Sequence, residues 1–102
     1  MMITTKDEII KNLQKHQQQL KEFGINQLGL FGSIVTGNFK ETSDLDIFVV
    51  FDPEQKTFRN FMELSFFLED LFERKIDLVT PESLSPHFGS KILREVEYVS
   101  LS

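Results

Sequence analysis

Residues 32–46 read Gly-Ser-Ile-Val-Thr-Gly-Asn-Phe-Lys-Glu-Thr-Ser-Asp-Leu-Asp, so a Gly32-Ser33 pair is followed, ten residues on, by Asp44-Leu45-Asp46. The pair closes an apolar run at 28–31, and the aspartates open a second run at 45–51. A strand has period two, so Asp44 and Asp46 point to one face, about 7 Å apart along it. Two carboxylates so placed can hold a hard, oxygen-seeking cation such as Mg2+. The Gly32-Ser33 turn offers backbone N–H groups and a hydroxyl that suit phosphate oxygens. A plain turn with a helix cap, and a polar strand start, are the ordinary alternatives for the same residues.

A third acid, Asp77, stands alone in the apolar stretch Lys75-Ile76-Asp77-Leu78-Val79. If that stretch pairs beside 44–51, Asp77 joins Asp44 and Asp46 on one face. Carboxylates about 4 Å apart repel by about 4 kcal/mol per pair at an effective dielectric near 20. A divalent cation relieves that repulsion, and two would clamp a triphosphate and stabilise a leaving pyrophosphate. In that arrangement Asp44 and Asp46 hold the metals, and Asp77 is the candidate base for an incoming hydroxyl. Burying such acids unpaired in a covered strand would be costly, which argues for a site at the strand's open end.

Around these residues the hydrophobic pattern predicts alternating helices and strands. Residues 5–22 read as an amphipathic helix, with Thr5 and Glu8 as a capping box and Gly24 beyond its end. Strands are expected at 27–31, 44–51 and 75–80, and a short helix at 33–38. A long helix at 57–73 turns Phe61, Leu64, Leu68, Leu71 and Phe72 inward. Met62, Phe66 and Phe67 flank that stripe, facing either a partner or the terminal helices. A last helix at 90–99 carries Ile92, Leu93, Val96 and Val99. The strand at 44–51 is apolar on both faces beyond its first turn, so it is expected to be central.

The chain has 102 residues, 40% hydrophobic and 26% charged, which suits one domain with a modest core. The absence of cysteine removes disulfides, zinc thiolates and cysteine nucleophiles from consideration. No apolar stretch approaches a membrane span, and the N-terminal residues lack a signal-peptide plan, so cytoplasmic residence is expected. The net charge of −5 disfavours direct nucleic-acid binding and suits a basic protein partner. His16 and His87 show no metal-ligand spacing. Lys40, Arg59 and Lys75 read as solvated charges, and Asp52 and Glu54 as turn residues.

The Gly32-Ser33 turn, the spacing to Asp44-Leu45-Asp46 and the later strand acid Asp77 together resemble the DNA polymerase beta-like nucleotidyltransferase superfamily. In size the chain is similar to the minimal nucleotidyltransferases of the MntA type, antitoxins paired with HEPN-domain ribonuclease toxins. The resemblance covers roughly residues 25–80 of a single 1–102 domain. It implies an α/β (α+β) fold, a small twisted mixed sheet flanked by helices. It implies transfer of AMP from ATP, with Mg2+ (two ions), to a tyrosine hydroxyl of the HEPN toxin. Gly32 and Ser33 would contact phosphates, Asp44 and Asp46 would ligate metal, and Asp77 would be the third acid. The pattern departs from many relatives at Ile34 and Thr36, where arginines are common. A non-catalytic antitoxin acting by occlusion, and an aminoglycoside-type transferase acting on a small molecule, are the other readings.

Overall fold

The computed structural model describes residues 5–101; Met1–Thr4 of the N-terminal stretch considered above lie outside the described residues. The elements are α1 Lys6–Lys15, α2 Gln17–Glu22, β1 Ile25–Phe31, α3 Ser33–Thr36, β2 Leu45–Phe51, α4 Phe58–Phe72, β3 Ile76–Val79, α5 Pro86–Glu95 and β4 Glu97–Tyr98. Short 3-10 turns at Pro53–Gln55 and Pro81–Ser83 follow β2 and β3. The four strands form one mixed sheet in the order β3-β2-β1-β4. β1 pairs antiparallel with β2 and β4, whereas β2 and β3 run parallel, joined by the α4 crossover. This is the expected α+β architecture, with β2 in the interior of the sheet.

The two faces of the sheet divide by period two. Leu28 and Leu30 of β1, Leu45, Ile47 and Val49 of β2, and Ile76 of β3 are buried in one core with Ile9, Leu13, Leu20, Leu64, Leu68 and Phe72 of the helices. Helices α1, α2 and α4 therefore cover that face, and burial of these side chains is the main driving force of the fold. The opposite face carries Gly29 and Phe31, Asp46 and Phe48, Asp77, and Tyr98. It is covered in part by the end of α5: a Cβ on Gly29 would run into Val96 Cγ1, so Gly29 lets Val96 sit against the sheet. Phe48 is buried there and meets Tyr98 edge-to-face at 6.3 Å.

Two helix bounds need correction, and one open alternative is resolved. The helix over 5–22 is two helices, broken at His16. There the backbone N–H splits between the carbonyls of Asn12 and Leu13, and the ring Nδ1 lies 2.9 Å from Asn12 O. A ring competing for a helix carbonyl loosens the ladder at that turn. The helix over 90–99 ends at Glu95, and the chain then extends as β4, with Val99 N–H bonded to Leu28 O at 2.8 Å. The spacing of Val96 and Val99 fits a helix locally, but the open edge of β1 wins the backbone. Val99 is buried as expected, whereas Leu93 is 47% exposed. On α4, Phe67 packs on Phe23 at 5.6 Å and meets His16 edge-on, so it belongs to the domain's own packing; Phe66 and Phe58 face outward.

Other local signals work as read. Thr5 caps α1, its Oγ1 accepting from Glu8 N–H at 3.2 Å, and the Glu8 carboxylate accepts from the Thr5 hydroxyl at 2.9 Å, a variant of the expected capping box. Thr57, not singled out from the sequence, caps α4 through Asn60 N–H at 3.1 Å. The connection before β2 is held by Arg74, which the sequence reading passed over. Its Nη1 donates to Lys40 O at 3.1 Å and to Ser43 O at 2.7 Å, and its guanidinium lies 4.3 Å from the Phe39 ring centroid. Leu45 N–H donates to Lys75 O at 3.0 Å next to it. The residues just before Asp44 are thus tied to the residues just before Asp77.

Replacing Arg74 with Ala should remove these ties. Unfolding free energy should fall by about 1–2 kcal/mol, and amide exchange should rise over 40–44. Arg74→Lys, lacking the planar guanidinium over Phe39, should recover only part of the loss. Denaturation curves and exchange rates identical to the native protein would show that Arg74 does not hold this connection.

Candidate active site

Gly32 follows the last residue of β1 with φ 74 and ψ −148, a backbone region reserved for glycine. A Cβ here would also collide with Asp46 Oδ2. The turn therefore needs glycine twice over, for its conformation and for the close approach of the Asp46 carboxylate. α3 starts immediately, with Val35 and Thr36 N–H both bonded to Gly32 O at 3.0 Å. Ser33 N–H donates to the Asp46 carboxylate.

Parallel pairing of β2 with β3 sets Asp46 directly opposite Asp77. Their meeting is conditional on this pairing, and the sheet provides it. Asp46 is half-buried and Asp77 exposed at the edge strand of the sheet. Asp46 carries the consequences. Burial comes first, then the charge of Asp77 and a hydrogen bond from protonated Asp46 to the Asp77 carboxylate, then the charge of Asp44. Together they push its pKa from 3.8 up to about 6, against the lowering effect of Ser33 N–H. Asp44 lies exposed one residue before β2 and acts on Asp46 through charge alone.

The arrangement is narrower than expected in one respect. Among the described residues no three acidic or histidine side chains surround a common point as a ready-made metal cage. Asp46 and Asp77 converge, and Asp44 flanks them. The donor set nevertheless fits a hard divalent cation: it consists of carboxylate oxygens, two of them on facing strands, and their mutual repulsion shows in the raised pKa of Asp46. The exposure of Asp44 and Asp77 leaves the cluster open to solvent.

The turn itself is met by side chains of the same chain. Both of its amides are engaged by carboxylates: Ser33 N–H by Asp46, and Gly32 N–H by Glu95 Oε1 at 2.6 Å. Glu95 was not singled out from the sequence. It ends α5, and nothing local marks a helix-terminal glutamate as belonging to a turn 63 residues away. The remaining residues lie away from the cluster. Asp52 and Glu54 follow the far end of β2, His87 is exposed at the start of α5, and Arg59 is paired with Glu63 at 3.1 Å.

These contacts fix a pH dependence for the metal-free protein. An acid whose pKa is raised in the fold favours folding while protonated. That contribution is fully present below about pH 4 and is lost as pH rises through about 6. Asp46→Asn is neutral throughout. It should melt higher than the native protein near neutral pH, with the difference shrinking towards about pH 4. Mg2+ should raise the native melting temperature and raise that of Asp46→Asn much less. Calorimetry in chelator and in Mg2+ checks both; parallel curves for the two proteins would dismiss the strained acid pair.

Comparison with known proteins places the chain. The family model for the nucleotidyltransferase domain matches residues 7–99. The protein adenylyltransferase MntA of Thermococcus cleftensis is 42% identical over 100 residues, spanning 97% of this chain and 100% of the relative. A solved structure described as a minimal nucleotidyltransferase superposes with a TM-score of 0.75 at 28% identity, covering 88% of this chain and 92% of that one. A toxin–antitoxin structure with AMP-PNP shares the fold at a TM-score of 0.65 and 20% identity, covering 84% and 73%. The Gly-Ser turn and the facing aspartates thus sit in a nucleotidyltransferase frame along nearly the whole chain, and the protein belongs to the nucleotidyltransferase domain family as one of its minimal members.

Proposed function

We propose that this protein is the antitoxin of a toxin–antitoxin pair and neutralises its partner, a HEPN ribonuclease, by transferring AMP from ATP to a tyrosine hydroxyl. The observation that carries the reading is the cross-strand pair Asp46–Asp77 beside the Gly32-Ser33 turn. The full-length likeness to an MntA adenylyltransferase and the shared fold with toxin–antitoxin structures support it. Among the described residues no helix is long and apolar enough to cross a membrane. The reading places both partners in the cytoplasm, where ATP is available.

Each residue then has a task. Asp44, Asp46 and Asp77 would hold Mg2+, which when bound neutralises triphosphate charge and stabilises the departing pyrophosphate. The Gly32-Ser33 turn, with the Ser33 hydroxyl, orients the phosphate chain. Asp77, exposed on the edge strand, takes the proton of the acceptor hydroxyl. The tyrosine oxygen bonds to the α-phosphorus, the bond from that phosphorus to the bridging β-phosphate oxygen breaks, and pyrophosphate leaves. The open cluster, with Asp44 and Asp77 exposed, favours a macromolecular acceptor over an aminoglycoside-like one. The acidic net charge suits a basic, RNA-cleaving partner better than nucleic acid itself.

A second reading, neutralisation by occlusion alone, draws on the engaged turn amides and on Ile34 and Thr36 in place of cations. Intact-mass spectrometry of the toxin separates the two. Incubation with this protein, ATP and Mg2+ should add one or more adenylyl groups to a toxin tyrosine. Asp44→Ala with Asp46→Ala should abolish the adduct and restore toxicity, while the complex still forms. A double variant that neutralises the toxin fully, with no mass change in either case, would replace catalysis with occlusion.

A Ser33→Ala variant probes the turn. Loss of its hydroxyl should weaken nucleotide use at least several-fold, with a stability change of no more than about 1 kcal/mol. Activity that falls only in step with lost folded protein would make Ser33 a structural residue.

A further inference from the structure

The contact left over from the site is the hydrogen bond from Gly32 N–H to Glu95 Oε1 at 2.6 Å. It is short for an N–H···O bond, in the direction an ionised acceptor favours. Glu95 is half-buried and takes part in none of the ion pairs found among the described residues, so no lysine or arginine side chain balances its charge there. A carboxylate oxygen and a phosphate oxygen ask the same thing of an amide: both are anionic acceptors. The turn that would orient a triphosphate therefore already carries an anion from the protein itself. It lies close to Asp46, since Gly32 is pressed against that carboxylate.

We propose that Glu95 is an affinity-setting residue of the nucleotide site: a resident anion on the Gly32 amide that a triphosphate must displace or sit beside. The inference rests on the functional reading above. Its physical content is charge. A negative side chain within a few ångströms of the bound phosphates weakens them in proportion to their own charge, and the effect is largest for ligands with most phosphates. Because Glu95 ends α5, and Val96 next to it packs over Gly29, displacement of the carboxylate would also release the segment that leads into β4. Glu95 is a positioning residue by this account, acting on the turn and not on the reacting atoms.

Isothermal titration of the full chain with AMP-PNP in Mg2+, and with adenosine, tests it. Glu95→Gln keeps an acceptor of the same size for the Gly32 amide and removes only the charge. It should bind AMP-PNP about three- to tenfold more tightly than the native protein, leave adenosine binding unchanged, and melt at nearly the same temperature. Glu95→Ala reports separately how much stability the hydrogen bond adds. AMP-PNP affinity in Glu95→Gln equal to or weaker than native would overturn the proposal and leave Glu95 as a structural tie of the turn. An equal gain for adenosine would overturn it too, because uncharged adenosine cannot sense the carboxylate. Failure of AMP-PNP to bind any form of the protein would overturn the nucleotide-site reading itself, and this inference with it.

Discussion

The parallel pairing of β2 with β3 is the constraint on which the rest of the site depends. Only that register sets Asp46 opposite Asp77. A shift by one residue would send one of the acids to the apolar face. The pairing is secured from the other side of the sheet, where Leu45, Ile47, Val49 and Ile76 are buried under α1, α2 and α4. Hydrophobic burial on one face thus sustains electrostatic repulsion on the other. The cost of burying Asp46, with the charge of the neighbouring acids added, appears as a carboxyl group whose pKa has risen to about 6.

The turn at Gly32 closes the arrangement from a third strand. Because β1 runs antiparallel to β2, its last residue, Phe31, pairs with Asp46, and the chain must turn away at once. Glycine allows that turn at positive φ and leaves room for the carboxylate, while Ser33 N–H partly offsets the charge that the neighbouring acids concentrate there. Arg74 performs a related task at the other end, anchoring the connection that delivers Asp44. Three segments distant in sequence are held within one small region by contacts that are individually modest.

What could be read from the sequence follows from the range of the forces involved. The turn, the acid spacing, the cap at Thr5 and the inward stripe of α4 are local, and their signals lie within a few residues. Asp77 was visible as an acid in an apolar strand, yet its partner depended on which strands pair, and residue spacing does not decide that. Glu95 and Arg74 were missed because their roles are long-range hydrogen bonds to backbone groups. A glutamate at a helix end and an arginine in a turn look like any solvated charge. The extension of residues 97–98 into β4 was missed for the same reason: an unfilled strand edge elsewhere overrode a locally helical spacing.

Under the proposed function the facing acids serve proton and phosphate chemistry and are not merely a tolerated strain. The most direct test is single-turnover transfer of labelled AMP from ATP to the partner protein by Asp77→Asn, with nucleotide affinity measured in parallel. The account predicts that nucleotide still binds while the transfer rate drops by at least about a hundredfold. Transfer at the native rate by Asp77→Asn would contradict it, because the acid brought to Asp46 by the sheet would then have no part in the reaction.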